Sequence, residues 1–242
     1  MIQTIRSFLH IVQMYVAMLV IGVVMFPWAV FSPRGAHAAC HAYCAWVFWT
    51  LRWMVGLRIE IRGTPPVDEV MVAAKHQSFL DVMAIYHATP RGKFIMKREL
   101  MYAPIIGQYG LRIGCVPVNR GKRGAAIKKM LEDVRSGKQQ GGQLIIYPQG
   151  TRIAPGVSAP YKVGTGALYD QLGQPCVPVA TNIGVFWPKT GITRKPGVAV
   201  VEFLPPIAPG MEPKPFMERL ESEIETASDA LLDEAGFVRE QT

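Results

Sequence analysis

His76 and Asp81 form a His-x-x-x-x-Asp pattern whose two side chains could do proton chemistry together. On a regular helix five residues turn through about 500°, which would leave the two side chains about 140° apart. They can therefore meet only if the segment begins as a loop or turn. A carboxylate that accepts from one imidazole nitrogen fixes the tautomer, and the other nitrogen can then take a proton from a substrate hydroxyl. The pattern indicates a general base with its orienting acid; a surface histidine near an unrelated helix acid is the alternative.

A second group of residues could bind an anion, because each follows a short apolar run that predicts a strand. They are Gly150, Thr151 and Arg152 after Gln143–Tyr147, Arg120 after Cys115–Val118, and Lys97 after Phe94–Met96. Glycine lets the backbone approach a ligand, and a guanidinium binds phosphate through a planar fork. These cations would form one site if the three strands are neighbours, and would otherwise be separate solvated charges. The sequence lacks the G-x-x-x-x-G-K-[ST] loop of nucleotide sites.

Strand-like and helix-like segments alternate along most of the chain. The predicted strands are Leu57–Arg62, Val70–Ala74, Phe94–Met96, Cys115–Val118, Gln143–Tyr147, Val177–Ala180 and Val198–Leu204. The predicted helices are Leu80–His87, Ala125–Ser136 and the acidic, amphipathic Phe216–Leu232. Such alternation predicts an α/β domain, and polar segments that follow strands are where these sheets place their sites.

The net charge of +8 is unevenly distributed. Residues 58–211 carry a formal charge of +11, whereas residues 212–242 carry −6. A positive field attracts anions such as phosphorylated molecules, lipid headgroups or an acidic carrier protein. The basic cluster of Lys122, Arg123, Lys128 and Lys129 has no interleaved aromatic residues, which argues against single-stranded nucleic acid as a partner. The cluster could dock an acidic carrier protein or lipid headgroups, and a solvated helix face is the alternative interpretation.

The N-terminal segment is the most apolar part of the chain. Ser7–Pro33 contains 27 residues without a charged side chain, and about 20 suffice to span a bilayer as a helix. A second uncharged stretch, Gly35–Leu51, follows. We predict that residues 1–57 form a membrane-anchoring helical hairpin, followed by a catalytic domain over residues 58–242. A single spanning helix and a buried core helix are alternatives, and the length of the segment and its expected lack of a polar face argue against the core helix.

Three further patterns bear on localisation, processing and metal binding. Arg6, Arg52 and Arg58 flank the hairpin, and the positive-inside tendency predicts that both of its ends lie in the cytoplasm, hence at the inner membrane. The triplet Ala36-His37-Ala38 resembles a signal-peptide cleavage site, but the apolar run before it is longer than a usual signal core. One helix face could present four potential zinc ligands, His37, Cys40, His41 and Cys44. That spacing also fits an ordinary apolar helix, and we expect no metal site.

Four segments in order carry a specific resemblance. They are Lys75–Asp81 (KHQSFLD), Gly114–Arg120 (GCVPVNR), Tyr147–Arg152 (YPQGTR) and Val177–Val179 (VPV). This set resembles the glycerolipid acyltransferase family, in particular the bacterial 1-acyl-sn-glycerol-3-phosphate acyltransferases. The resemblance extends over residues 58–235 and implies an α/β fold of the glycerol-3-phosphate acyltransferase type, a mixed sheet flanked by helices.

The resemblance also implies an activity and its residues. The reaction would move an acyl group from acyl-carrier protein or coenzyme A to the sn-2 hydroxyl of lysophosphatidate, giving phosphatidate. His76 would be the general base and Asp81 its orienter. The acceptor phosphate would be bound by Lys97, Arg120, Gly150, Thr151 and Arg152, and the acceptor or acyl pocket would be shaped by Gln149, Val177 and Pro178. No metal or redox cofactor is expected, because the thioester is already activated.

Two residues depart from the family pattern. Lys75 stands where the family often has Asn, and Gln149 stands where it usually has Glu. An amide cannot act as a base, so Gln149 is expected to orient Arg152 or a substrate hydroxyl. Two other functions stay open: acyl transfer to another lyso-lipid, and non-catalytic binding of phospholipid in a membrane. The second of these would dispense with His76 and Asp81 but not with the arginines.

Overall fold

The computed structural model describes residues 1–118, 124–125, 128, 132 and 141–238. Its strands are β1 Leu57–Gly63, β2 Met71–Ala74, β3 Lys93–Lys97, β4 Val116–Val118, β5 Leu144–Ile146, β6 Cys176–Thr181 and β7 Gly197–Phe203. Its α-helices are α1 Ile2–Val24, α2 Phe26–Phe31, α3 Pro33–Met54, α4 Leu80–Ala88, α5 Pro104–Arg112, α6 Gly164–Leu172, α7 Ile183–Phe186 and α8 Pro213–Glu234. A 3₁₀ helix spans Arg98–Tyr102.

All seven predicted strands are present and form one sheet in the order β1-β7-β6-β2-β5-β3-β4. Neighbouring strands are parallel except β6 and β7, which pair antiparallel. The sheet is therefore mixed and flanked by helices, as the sequence predicted. The predicted helix Ala125–Ser136 lies mostly outside the described residues.

The sheet brings the carboxyl ends of five strands to one edge, because β6, β2, β5, β3 and β4 all run in the same direction. The segments that follow β2 and β5 therefore leave the sheet side by side. These are the segments that begin at Lys75 and Tyr147. Open α/β sheets bind ligands outside this edge, so the topology gathers the predicted site residues where a ligand can reach them.

Side chains of β2 alternate between two cores, as the pleat of a strand requires. Val72 and Ala74 pack with α3 and α4 on one face, and Met71 and Ala73 pack with α6 and α8 on the other. The predicted stripe of α8 is confirmed as buried: Phe216, Leu220, Ile224 and Leu231. Burial of these large apolar side chains fixes α8 across the sheet.

The N-terminal segment forms helices α1, α2 and α3, with α1 packed antiparallel on α3. Gln3, near the start of α1, donates a hydrogen bond to the carbonyl of Val55, just beyond the end of α3. The expectation of no polar face is wrong, because Ser7 and His10 are buried on the side of α1 that faces the protein. The opposite side of α1 exposes its apolar side chains.

Length and composition would allow one of the described helices, α1, to cross a membrane; signal sequences and core helices can have the same properties. Helix α3 shares the sheet's hydrophobic core through Ala36, Val47 and Leu51. The boundary predicted at residue 57 coincides with the start of β1. A division into an anchor and a catalytic domain stays a prediction.

Candidate active site

The structure brings His76 and Asp81 together. The ring nitrogen Nδ1 of His76 lies 2.9 Å from Oδ1 of Asp81, which is fully buried. A carboxylate only accepts hydrogen bonds, so Nδ1 carries the proton and Nε2 holds a lone pair. Among the described residues no hydrogen bond engages Nε2, and the His76 side chain is 16% exposed. The pair is arranged as a base with its orienting acid.

A turn between β2 and α4 makes this contact possible, as the spacing required. Asp81 lies in the first turn of α4, and its Oδ2 accepts from the backbone N–H groups of Gln77 and Ser78, at 2.8 and 2.7 Å. These bonds fold the segment back over the helix N-terminus, where a negative charge is favoured. The Ser78 hydroxyl oxygen accepts from the Leu80 N–H at 3.2 Å. Ser78 therefore helps to cap the helix.

The segment after β5 contacts the His76 segment at two points. The ring of Tyr147 stacks on the imidazole of His76, with centroids 4.0 Å apart and planes 22° from parallel. The backbone N–H of Ile153 donates to the carbonyl of His76 at 2.8 Å. The Gly150-Thr151-Arg152 turn lies between these two contacts in the chain. Two of the segments that carry the resemblance are therefore held against each other.

Gly150 needs its left-handed backbone conformation, since its φ is +70°. A Cβ atom there would lie 2.7 Å from Nζ of Lys162, so the ammonium of that lysine stands directly against the turn. Thr151 is exposed and Arg152 partly exposed, with Nη1 of Arg152 3.5 Å from the carbonyl oxygen of Lys189. The turn thus presents a hydroxyl and two cations, one of which the sequence analysis did not identify.

Gln149 is buried beneath this turn. Its Nε2 donates to the carbonyl of Ala159 at 3.3 Å, and its Oε1 is buried without a hydrogen-bond partner in the described part of the chain. Within the same residues it makes no hydrogen bond to Arg152. Its predicted role with a substrate hydroxyl stays a prediction.

Lys75, the other departure from the family pattern, is only 3% exposed and forms an ion pair. Its Nζ lies 2.6 and 2.7 Å from the two carboxylate oxygens of Glu225 on α8. Oε1 of Glu225 also accepts from the Tyr161 hydroxyl at 2.8 Å. A lysine therefore acts structurally here, and it joins the His76 segment to α8 across 150 residues of sequence.

The remaining predicted phosphate ligands are placed only in part. Lys97 ends β3, and its side chain lies outside the described residues, as does Arg120 after β4. A single site requires that the three strands before these residues be neighbours, and β5, β3 and β4 are neighbours in the sheet. A single anion site formed by all three strand ends stays a prediction.

Val177 and Pro178 lie within β6, opposite Val72 and Ala73 of β2. Both are buried, and Val177 belongs to the core shared with α3 and α4. They are three or four residues from the carboxyl end of their strand, which corresponds to about 10–13 Å. A contact of these side chains with acceptor or acyl chain stays a prediction.

The four residues considered as zinc ligands are used differently. His37 Nδ1 lies 2.9 Å from the Tyr86 hydroxyl, and His41 stacks on the same tyrosine ring. All four cysteines of the chain are free thiols. No group of three or more His, Cys, Asp or Glu side chains suited to a metal ion occurs among the described residues.

Sequence reasoning did not identify Tyr147, Lys162 or Glu225 as neighbours of the site. Tyr147 begins the third resembling segment, so its proximity had a signal in the sequence, whereas Lys162 lies ten residues beyond the end of that segment. Glu225 had none, because one acid among nine in residues 212–242 is not distinguished by its spacing.

The sequence is similar to those of known acyltransferases. The protein is 28% identical over 222 residues to 1-acyl-sn-glycerol-3-phosphate acyltransferase of Pseudomonas aeruginosa, covering 90% of this chain and 86% of that protein. It is 31% identical over 162 residues to 1-acyl-sn-glycerol-3-phosphate acyltransferase alpha of Homo sapiens, covering 65% of this chain and 57% of the human one.

The fold matches a solved structure as well. The crystal structure of the 1-acyl-sn-glycerophosphate (LPA) acyltransferase PlsC from Thermotoga maritima superposes with a TM-score of 0.79 at 21% identity, covering 95% of this chain and 97% of that one. The family model described as Acyltransferase matches residues 58–182, which include His76, Asp81 and the Gly150-Thr151-Arg152 turn. This chain therefore belongs to the acyltransferase family.

Proposed function

We propose that this enzyme transfers an acyl group from a thioester to the sn-2 hydroxyl of 1-acyl-glycerol-3-phosphate and so makes phosphatidate. The observation that carries the proposal is the His76–Asp81 pair, in which Nδ1 is engaged and Nε2 is left for a substrate. The Gly150-Thr151-Arg152 turn beside it supplies groups suited to a phosphate. The names of the relatives from Pseudomonas aeruginosa and Homo sapiens support the same acceptor.

The geometry supports direct transfer without a covalent enzyme intermediate. Nε2 of His76 accepts the proton of the acceptor hydroxyl while its oxygen forms a bond to the thioester carbonyl carbon. The tetrahedral intermediate then expels the thiolate, and the C–S bond breaks as the sulfur takes the proton from His76. Asp81 holds the tautomer and stabilises the transient imidazolium. A general base of this kind contributes about 10²–10⁴ to the rate.

The acceptor phosphate is bound in this proposal by Arg152 and the Gly150-Thr151 turn, with Lys97 and Arg120 completing the site. A guanidinium suits phosphate because its planar fork matches two oxygens at once. Gln149, Val177 and Pro178 would shape the space for the acceptor or acyl chain. Burial of Gln149 next to the turn supports its part in this set.

The acceptor is a membrane lipid, and we place the enzyme at the inner membrane with its catalytic domain, residues 58–242, on the cytoplasmic face. Residues 1–57 would be the anchor. The exposed apolar side of α1 supports this, as do three partly exposed tryptophans of α3: Trp46, Trp49 and Trp53. Tryptophan is enriched at membrane–water interfaces because its ring is apolar and its N–H is polar. The acyl donor would be acyl-carrier protein or acyl-coenzyme A.

The deciding experiment feeds defined acceptors and donors to the purified enzyme in detergent or vesicles. Lysophosphatidate and lysophosphatidylcholine would each be offered with acyl-carrier-protein and coenzyme A thioesters, and labelled product would be measured. We expect transfer to lysophosphatidate, and loss of it in His76→Ala. Turnover of lysophosphatidylcholine alone would identify a different acceptor. Binding of lysophosphatidate without turnover by any donor would indicate a non-catalytic lipid-binding protein.

A further inference from the structure

Tyr147 contacts His76 directly, and the proposed reaction scheme leaves it without a role. Its ring lies nearly parallel to the His76 imidazole, with centroids 4.0 Å apart. It directly precedes the turn that faces the acceptor, at the carboxyl end of β5. The residue as a whole is partly buried, and its hydroxyl oxygen is buried.

Asp81, the other member of the pair, is the charged residue that acts on the Tyr147 hydroxyl. The hydroxyl makes no hydrogen bond of ordinary geometry to a described residue. Burial first, and then the negative charge of Asp81, raise the pKa of Tyr147 well above its usual value. The phenol therefore stays neutral and retains a proton that it can donate. One side chain thus touches the imidazole with its ring and approaches the carboxylate with its hydroxyl.

We propose that Tyr147 is a positioning residue. Its ring stacks on the His76 imidazole and holds it in the orientation in which Nε2 can accept a proton from the acceptor hydroxyl. The bond to Asp81 restrains the imidazole at one atom, Nδ1. A second ring stacked at 4.0 Å also restrains the tilt of the imidazole plane, and with it the direction of Nε2. The role rests on His76 being the base of the proposed reaction.

Stacking also has an electrostatic consequence during the reaction. When Nε2 takes the proton, the imidazolium lies over the face of an aromatic ring, and that face attracts cations. The attraction corresponds to a factor of about ten in a rate or an equilibrium constant. The effect is larger for the protonated than for the neutral ring. The stack therefore favours the charged state that forms as the hydroxyl attacks.

The experiment compares Tyr147→Phe with Tyr147→Met. Phenylalanine keeps the stack and removes only the hydroxyl, whereas methionine keeps most of the volume and removes the ring. For Tyr147→Met we expect kcat to fall about tenfold, with KM for lysophosphatidate within twofold of wild type. We also expect the apparent pKa on the acidic limb of the rate profile to move down by up to about one unit. For Tyr147→Phe we expect kcat within about threefold of wild type.

A matched control is Tyr169→Met, because Tyr169 is a buried tyrosine stacked on Phe216, 3.7 Å away on the far side of the sheet. It should lower the melting temperature without moving the rate profile. An unchanged kcat and profile in Tyr147→Met would overturn the proposal, and so would a raised KM with unchanged kcat, which would make Tyr147 a substrate contact. Equal losses in Tyr147→Phe and Tyr147→Met would assign the effect to the hydroxyl and reject the stacking role.

A second readout separates this inference from the proposed function. The His76 side chain can be titrated by NMR in ¹³C,¹⁵N-histidine-labelled protein, with His76→Ala used for assignment. If no acyl transfer occurs with any acceptor, the proposed function fails. A lowered His76 pKa in Tyr147→Met, with Tyr147→Phe close to wild type, would still support the stack. Identical titrations in all three proteins would reject it.

Discussion

The ammonium of Lys75 contacts both carboxylate oxygens of Glu225, at 2.6 and 2.7 Å, and joins the residue before His76 to helix α8. The lysine is buried, whereas the glutamate side chain is 30% exposed. The two partners therefore differ in what they leave behind when the other is removed. Loss of the glutamate leaves a buried cation, and loss of the lysine leaves a carboxylate that water can reach.

We expect Glu225→Gln to lower the free energy of unfolding by about 3 kcal/mol, because a buried charge without a counter-ion is strongly destabilising. Lys75→Met should cost less, about 1 kcal/mol, since the buried charge goes with the side chain. Guanidinium unfolding of both variants in the same detergent would measure the difference. Arg219→Gln, which breaks the exposed Arg219–Glu223 pair on the same helix, should cost under about 0.5 kcal/mol. A larger loss in Lys75→Met than in Glu225→Gln would contradict the assignment.

Asp81→Asn should lower kcat by about 10³- to 10⁴-fold while leaving the protein folded. The amide would keep one acceptor for the Gln77 and Ser78 N–H groups but would no longer hold the proton on Nδ1 of His76. Acyl transfer at matched protein concentration is the measurement. Asp170→Asn, at an exposed position of α6, is the matched control and should behave as wild type. Activity of Asp81→Asn within tenfold of wild type would remove Asp81 from the mechanism.

Ser78→Ala separates a cap from a nucleophile. The hydroxyl accepts from the Leu80 N–H, so its loss should cost about 1 kcal/mol of stability. Activity per folded molecule should stay within a few-fold of wild type, because no step of the proposed reaction uses this oxygen. Thermal melts and initial rates on the same preparation would show both effects. A loss of turnover comparable with that of His76→Ala would instead indicate an acyl-serine intermediate.

Gly150→Ala should raise KM for lysophosphatidate about tenfold or more. Alanine would have to adopt the left-handed backbone conformation that glycine adopts easily. Its methyl group would also occupy the space of the Lys162 ammonium, 2.7 Å away. Gly191→Ala is the control, since its φ of +87° carries the same backbone strain with no atom within 4 Å of the added carbon. Both variants should lose about 1 kcal/mol of stability. Equal KM values in the two variants would show that Lys162 and the turn do not bind the acceptor.

Replacing Trp49 and Trp53 by serine should weaken association with vesicles several-fold without changing the fold. These side chains are 58% and 65% exposed, so they contribute little to the core. Each gives up apolar area that a lipid interface would cover. Sedimentation with vesicles of phosphatidylglycerol and phosphatidylethanolamine is the measurement. Val238→Ser, exposed near the other end of the chain, should have no effect. Unchanged sedimentation would place the membrane contact elsewhere.

Much of the sheet could be predicted from the sequence because its strands are short apolar runs that end at Gly, Pro or polar residues. The run Val70–Ala74 is one example, and the strand it predicts is β2. Helices α5 and α6 were not predicted, because each is only nine residues long and glycines occupy part of its buried side, Gly107 and Gly110 in α5 and Gly166 in α6. Close backbone packing of that kind leaves no periodic signal.

The His76–Asp81 contact could be predicted because both residues lie in one short turn whose geometry follows from their spacing. The Lys75–Glu225 pair could not, since 150 residues separate its members and only the completed fold brings them together. The polar side of α1 is a related case. Ser7 and His10 are isolated polar residues in an apolar helix, and they matter only because both lie on the side that meets the protein.

Helix α1 is fastened to the rest of the protein near its first turn. Gln3 donates to the carbonyl of Arg194, and the Arg194 N–H donates to the Ser7 hydroxyl, at 2.8 and 2.9 Å. Arg194 precedes β7, which is part of the sheet. These bonds join the apolar N-terminus directly to the segment that leads into the sheet. The height of His76 above any lipid surface that receives α1 is then set by side-chain packing, as it could not be if a flexible tether joined the two.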